Sequence, residues 1–260
     1  MVQWDMSLRA SAARQAGAAI IFSAGFAEGG ESGLTEQREL SRIAADSGMV
    51  IEGPNCLGMV NYVDGIALIF VETPALALGS RAGIGIVSQS GAMAAVVGVT
   101  LTAKDLGISY SISTGNEAAS GVEDYTEYFL EDPSTQVVAL IVEQFRRPQR
   151  FLALARRART RGKTIVLLHP GRSRAARESA ATHTGAMAGD YGIMRTQVER
   201  WSVLVADTVE EFGDLIELTL RCGAPPSRGA AVLTESGAFK ALSLDFFLRG
   251  GRPRTACAHR

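Results

Sequence analysis

Scarce cysteine and almost no net charge limit what this chain of 260 residues can do. The three cysteines, Cys56, Cys222 and Cys257, are far apart, and their spacing fits neither a metal site nor a disulfide framework. The formal net charge is −1, so no basic field attracts nucleic acid or an anionic membrane. No apolar run reaches the roughly 20 residues that span a bilayer, and the N-terminus lacks the apolar core of a signal peptide. We therefore expect a cytoplasmic protein that binds neither nucleic acid nor membranes.

Apolar strands alternate with helix-like segments along the chain, which is typical of parallel α/β sheets. The sequence predicts buried strands at residues 83–88, 108–114, 137–143 and 164–168, with helices between them. Residues 61–80 are interpreted as a linker with short extended pieces. The predicted fold class is therefore α/β.

One strand–turn–helix unit occurs twice. Residues 82–92 (AGIGIVSQSGA) align without a gap to residues 228–238 (RGAAVLTESGA). In each copy an apolar strand ends in a serine–glycine pair that opens a helix-like run; these residues are Ser90, Gly91, Ser236 and Gly237. The first amides of a helix lack internal partners and carry the positive end of its dipole, so such a turn suits a phosphate. Serine is also an ordinary N-cap residue, so either turn alone is compatible with a purely structural role.

His183 has the setting best suited to chemistry among the three histidines. It lies among small residues in the segment 181–190 (ATHTGAMAGD), after a strand-like run and a basic turn. An imidazole with an ordinary pKa of about 6.5 can act as a nucleophile at neutral pH. The small neighbours leave room for a phosphoryl group, although a plain surface histidine is the alternative. His169 is interpreted as a strand-end residue and His259 as part of the tail.

Glu143 follows a run of apolar residues and is predicted at the carboxyl end of its strand, where ligands bind in doubly wound folds. There it could hydrogen-bond an imidazole and fix its tautomer, or it could be a helix-capping or solvated side chain. Glu117 and Asp124 are weaker candidates of the same kind. The arginines of residues 146–177 could favour anionic ligands or form a solvated helix face.

Six segments, in this order, resemble the NDP-forming acyl-CoA synthetases, which are relatives of the succinyl-CoA synthetase alpha subunit. The segments are Ser23–Glu28, Gly53–Gly58, Gly83–Gly91, Gly115–Glu117 with Asp124, Glu131–Pro133 and Thr182–Gly185. The resemblance covers about residues 15–245, and residues 234–240 (TESGAFK) look most like the branch that acts on aromatic acids such as ferulate.

The resemblance implies a division into three domains. Residues 1–78 would be the C-terminal part of a Rossmann-like CoA-binding domain, and residues 79–225 a succinyl-CoA synthetase-like flavodoxin domain. Residues 226–260 would begin a second flavodoxin-like domain. The glycine-rich first half of the CoA-binding domain has no counterpart here, and the tail after residue 248 has no apolar period. We therefore expect a chain that is truncated at both ends.

The resemblance also implies an activity, that of an acid–thiol ligase. A carboxylic acid, coenzyme A and a nucleoside triphosphate would give acyl-CoA through an acyl phosphate and a phosphohistidine at His183, with Glu143 beside it. The phosphate would be held by Ser90, Gly91, Ser236 and Gly237, and CoA or substrate by Asn55, Cys56, Gly115 and Asn116. ATP or ADP and Mg²⁺ would bind a partner ATP-grasp domain or subunit, and the assembly would be an oligomer. Cys56 is not expected to act as a nucleophile, because it has no histidine partner or basic neighbour nearby in the sequence.

Two other interpretations stay open. In one, the chain is the acyl-CoA-sensing region of a protein acyltransferase. In such proteins the loop histidine is typically replaced and an acetyltransferase domain is fused, whereas His183 is present here. In the other, the chain is an inactive CoA-binding fragment, which the form of its two ends favours.

Overall fold

The computed structural model describes residues 3–73, 77–173, 176, 190–222, 231–249 and 257–258. The chain divides into two compact units, residues 1–221 and 222–260. The three predicted domain ranges stay predictions.

The first unit begins with two helices around a small parallel sheet. Its elements are α1 (Gln3–Ala13), β1 (Ala18–Ile20), α2 (Glu31–Ser47) and β2 (Val50–Glu52), with β1 and β2 paired in parallel. Helix α2 buries Leu40, Ile43 and Ala44, whose spacing of three and four residues places them on one face. They pack with Ile51 of β2. Gly48, at φ 69°, ends α2 because glycine adopts the left-handed conformation without steric cost.

A seven-stranded sheet and the helices that connect or follow its strands form the rest of the first unit. In chain order these elements are β3 (Gly58–Asn61), β4 (Ile66–Ile69), β5 (Gly83–Ser88), α3 (Gly91–Ala103), β6 (Gly107–Ser113), α4 (Val122–Glu131), β7 (Thr135–Ile141), α5 (Pro148–Thr160), β8 (Thr164–Leu168), α6 (Tyr191–Glu199), β9 (Leu204–Ala206) and α7 (Val209–Cys222). The strand order is β4-β3-β6-β5-β7-β8-β9. Strands β5 to β9 are parallel, and their order is that of flavodoxin-like folds. The predicted α/β class with a flavodoxin-like sheet is confirmed.

Strand β5 is buried on both faces, as expected for the centre of a parallel sheet. Ile84 and Ile86 belong to the core that contains residues of α3 and α7, and Val87 belongs to the core that contains residues of α4 and α5. Gly85 is needed where it stands, because a Cβ there would lie 2.6 Å from the Phe129 ring. The sheet is therefore covered by helices on both sides, and its strand ends are the places left for a ligand.

An antiparallel hairpin, β3–β4, extends the sheet beyond β6, and here the structure adds to the sequence analysis. Strand β3 was not predicted, and β4 is one of the short extended pieces expected in residues 61–80. Strand β3 pairs antiparallel with both β4 and β6, so that Gly58 lies opposite Ser113. Only Gly58 and Val60 of β3 are buried, and a strand of four residues gives too short an alternation to be recognised in a sequence.

The predicted strands 83–88 and 164–168 have the observed limits. The strand predicted at 137–143 instead covers Thr135–Ile141, so Glu143 follows the strand rather than ending it.

The second unit contains β10 (Val232–Leu233), α8 (Gly237–Arg249) and β11 (Cys257–Ala258). The repeated strand–turn–helix pattern is present, with a strand of two residues. Strand β11 pairs in parallel with β10, although the tail has no apolar period.

Candidate functional site

The carboxyl ends of β5 and β7 meet at the point where the direction of strand order reverses, which is where doubly wound folds bind ligands. The side chain of Gln89, directly after β5, joins the two ends. Its Oε1 accepts the N–H groups of Glu143 at 2.7 Å and of Gln144 at 3.0 Å, and its Nε2 donates to the Gln144 carbonyl at 2.8 Å. The structure thus brings the predicted phosphate turn and the predicted carboxylate to one edge of the sheet.

Helix α3 starts at this edge, and Ser90 is its N-cap. The Ser90 hydroxyl accepts from the N–H of Met93 at 3.4 Å, and the Ser88 hydroxyl donates to the Ser90 carbonyl at 2.7 Å. A Cβ at Gly91 would lie 2.5 Å from Cγ of Leu57, so glycine is required for this close approach. The turn therefore has the geometry of a helix N-terminus that can receive an anion.

Three of the predicted site residues are not placed relative to this edge. His183 lies outside the described residues, so its proximity to Glu143 stays a prediction. Ser236 and Gly237 belong to the second unit, where the Ser236 hydroxyl accepts from the N–H of Phe239 at 3.3 Å. This local geometry is that of an N-cap.

The residues predicted to bind CoA or substrate lie together. The Asn55 side chain donates to Oδ1 of Asn116 at 3.3 Å, and the Asn116 N–H donates to the Pro54 carbonyl at 2.9 Å. Gly115, at φ 55°, has no room for a side chain, since a Cβ would lie 2.3 Å from the Pro54 oxygen. The turn that follows β2 and the turn that follows β6 therefore form one surface.

A polar network that the sequence analysis missed supports this surface. The buried Asn116 amide donates to carboxylate oxygen Oε2 of Glu28 and to Oε1 of Gln37, the latter at 3.0 Å. Arg146 donates to the Asn116 carbonyl. Glu28 is part of one of the family-like segments, but its partner is 88 residues away, and only the fold brings them together.

Glu117 is buried at the base of the same turn. Its Oε1 accepts from the Thr114 hydroxyl at 2.8 Å and from the N–H of Val122 at 3.1 Å, and Oε2 lies 3.5 Å from Nε of Arg146. Burial raises the pKa of Glu117 to about 7, and the Thr114 hydrogen bond and Arg146 oppose this. The candidate carboxylate Glu117 thus supports the turn from beneath.

Asp124, the other weaker candidate, belongs to a network of ion pairs between α4 and α5. Burial disfavours its charge, but hydrogen bonds from Arg147 and Arg150 more than offset this, and the pKa of Asp124 is lowered. Arg150 also pairs with Glu127 at 2.6 Å. Several arginines of the predicted basic cluster are therefore engaged with carboxylates of the neighbouring helix.

A cavity of about 440 Å³ opens beside the Asn55 turn. Its lining includes Phe22, Asn55, Cys56, Leu57, Phe70 and Gly91. Cys56 is 5% exposed, its thiol donates to the Ile21 carbonyl at 3.4 Å, and burial and the nearby Glu52 carboxylate raise the pKa of that thiol to about 12. Such a thiol lines the cavity but is a poor nucleophile.

In the described part of the chain, no group of three or more histidine, cysteine, aspartate or glutamate side chains is arranged to hold a metal ion. Likewise, none of the helices described above has the length and apolarity needed to cross a bilayer.

Comparison with known proteins gives a consistent set of relatives. The profile of the succinyl-CoA ligase-like flavodoxin domain matches residues 81–219. A trans-feruloyl-CoA synthase from an unknown prokaryotic organism is 56% identical over 92% of this chain and 34% of its own length. The alpha subunit of acetate–CoA ligase [ADP-forming] II from Pyrococcus furiosus is 31% identical over 87% of this chain and 48% of its own length.

A solved structure has the same fold. The acetyl-coenzyme A synthetase 1 of Ca. Korarchaeum cryptofilum, in complex with phosphate and ADP, superposes with a TM-score of 0.83 at 27% identity, over 94% of this chain and 52% of that one. The chain thus spans from about a third to about half the length of the relatives named here. The predicted resemblance to NDP-forming acyl-CoA synthetases is confirmed, and the chain belongs to the succinyl-CoA ligase-like flavodoxin domain family.

Proposed function

We propose that this chain is the alpha-like portion of an NDP-forming acyl-CoA synthetase, an acid–thiol ligase in which His183 carries the phosphoryl group. The observation that carries the proposal is the Gln89 bridge, which places the start of α3 and Glu143 at one edge of the sheet. The 56% identity to a trans-feruloyl-CoA synthase also supports an acid–thiol ligase reaction.

Each site residue has a role in this proposal. In the synthetic direction the triphosphate phosphorylates an imidazole nitrogen of His183, and the phosphoryl group passes to a carboxylate oxygen of the acid. The CoA thiol then attacks the acyl carbon, loses its proton and releases phosphate, so that the thioester forms. The N-terminal amides at Ser90 and Gly91 hold the phosphate charge, and Glu143 orients the imidazole.

The remaining predicted residues bind the other substrates or lie in the second unit. Asn55, Cys56, Gly115 and Asn116 form the surface for CoA and the acid. Ser236 and Gly237 supply a second helix N-terminus for the phosphohistidine. The nucleotide, ADP or ATP, and its Mg²⁺ belong to an ATP-grasp domain or subunit, as the existence of relatives named as alpha subunits suggests. We also propose that the acid is aromatic, because the relative with 56% identity is named for feruloyl-CoA.

Phosphohistidine formation tests the proposal directly. The chain is incubated with γ-labelled ATP and an ATP-grasp partner subunit, and protein-bound label that is stable in base and lost in acid is measured. Label is expected on the wild-type chain and on His259→Ala, and none on His183→Ala. Glu143→Gln should slow labelling about 10- to 100-fold, by analogy with carboxylates that orient metal-bound histidines. Full labelling of a folded His183→Ala variant, or no label on the folded wild-type chain, would contradict the proposal.

A further inference from the structure

We propose that Phe22 and Phe70 form the binding site for the aromatic ring of the acid, in the cavity beside Asn55. The inference rests on the proposed function and deepens it, because it assigns the residues that select the class of acid. Phe22 follows β1 and Phe70 follows β4, so two separate parts of the first unit supply the pair.

The two rings contact each other at the cavity wall. Their centroids are 5.8 Å apart and their planes are inclined by 47°. Both remain accessible, with Phe22 39% and Phe70 72% exposed. Aromatic rings associate favourably at centroid distances of about 4.5–7 Å in offset or edge-to-face arrangements. A third ring can therefore join this pair and cover apolar surface that is otherwise left in water.

The backbone holds the pair in place. The N–H of Phe70 donates to the Leu57 carbonyl at 2.8 Å, which ties the end of the hairpin to the turn after β2. Phe22 lies over Gly58, where a Cβ would be 2.9 Å from its ring atom Cε1. The backbone positions that carry both rings are thus set by the fold before any ligand arrives, which lowers the entropic cost of binding.

The rest of the lining matches the polar end of an aromatic acid. Gly91 begins α3, whose N-terminal amides attract a carboxylate or an acyl phosphate. The Asn55 amide adds a hydrogen-bonding group. The volume of about 440 Å³ lies within the range of roughly 300–1,000 Å³ that is typical of small-molecule sites. An acid as small as acetate would leave the two rings exposed.

Equilibrium binding of free acids to the whole chain tests the assignment without requiring turnover. The probes are trans-ferulate, 3-cyclohexylpropionate and acetate, measured by ligand-observed NMR titration. Ferulate is expected to bind at least about tenfold more tightly than acetate. Phe70→Ala and Phe22→Ala should each weaken ferulate binding about tenfold, because each removes a ring contact and buried apolar area. Phe70→Leu, which keeps apolar bulk but has no ring, should weaken ferulate less and leave 3-cyclohexylpropionate unchanged.

Ile66→Ala is the matched control, because Ile66 is a 46% exposed residue of β4 that does not line the cavity. It should bind ferulate as the wild-type chain does. The aromatic site is ruled out if the folded wild-type chain does not bind ferulate. It is also ruled out if Phe70→Ala and Ile66→Ala weaken ferulate binding equally. If acetate with CoA discharges the label from His183 and ferulate with CoA does not, this inference is overturned and the ligase proposal still stands. If ferulate binding depends on Phe70 but no histidine is labelled, the ligase proposal is overturned and the aromatic site still stands.

Discussion

Gln89 accepts the N–H of Glu143 at 2.7 Å, although the two residues are 54 positions apart. Through this bond the turn between β5 and α3 is tied to the segment after β7. The bond is one of three that Gln89 makes with the backbone of this segment, so a half-buried side chain fixes how the turn lies relative to the backbone at Glu143 and Gln144.

Gln89→Ala should therefore lower both stability and histidine labelling. The substitution removes three hydrogen bonds and leaves their backbone partners unpaired. It should lower the free energy of unfolding by about 2 kcal/mol, as measured by urea denaturation. Gln136→Ala is the control, because Gln136 is exposed and its side chain makes one bond, of 3.2 Å, to the Gly162 carbonyl. Equal effects of the two substitutions would show that the bridge has no special importance.

The fold could be predicted to a large extent from the sequence, because a parallel strand buried on both faces is a continuous apolar run. Residues 83–88 and 164–168 are such runs, and their limits were predicted correctly. In β3 two of the four residues are buried and the other two are half-buried, and this short alternation gives no comparable signal.

The site was predictable where it depends on strand ends. Ser90 and Glu143 both follow buried strands, and the carboxyl ends of parallel strands share an edge. The bonds of Gln89 and the contact between Phe22 and Phe70 depend instead on distances across the sheet and the hairpin. No local pattern encodes those distances.

Gly115→Ala should disrupt the surface that we propose binds CoA, and by more than a loss of glycine flexibility alone explains. A Cβ at Gly115 would overlap the carbonyl oxygens of Pro54 and Asn55, at 2.3 and 2.4 Å. Gly65 also has a positive φ, of 70°, but a Cβ there meets nothing within 4 Å. Gly65→Ala should thus report the backbone strain alone, and Gly115→Ala should cost about 2 kcal/mol more. The test is the difference between the two unfolding free energies, and similar costs would contradict the overlap.

Alkylation of the native chain should distinguish its cysteines. The Cys56 thiol is buried and its pKa is raised to about 12, whereas Cys222 is exposed. Because the thiolate is the reactive form, iodoacetamide at pH 8 should modify Cys222 much faster than Cys56, and denaturant should remove the difference. Peptide mass spectrometry after short exposure measures both rates. Rapid alkylation of Cys56 in the folded chain would be inconsistent with the burial of its thiol.

Glu52 should make the chain less stable as the pH rises from neutral to alkaline. Its Oε2 accepts from the Tyr125 hydroxyl, Oε1 is buried without a hydrogen-bond partner, and burial together with the Glu117 charge raises its pKa to about 9. The folded state therefore keeps a proton that the unfolded state has already released. Between the unfolded pKa and about 9 this costs up to about 1.4 kcal/mol per pH unit. Glu117 contributes in the same direction only up to about pH 7. Glu52→Gln should consequently flatten the fall in unfolding free energy between pH 7 and pH 9, while the exposed control Glu210→Gln keeps the wild-type slope.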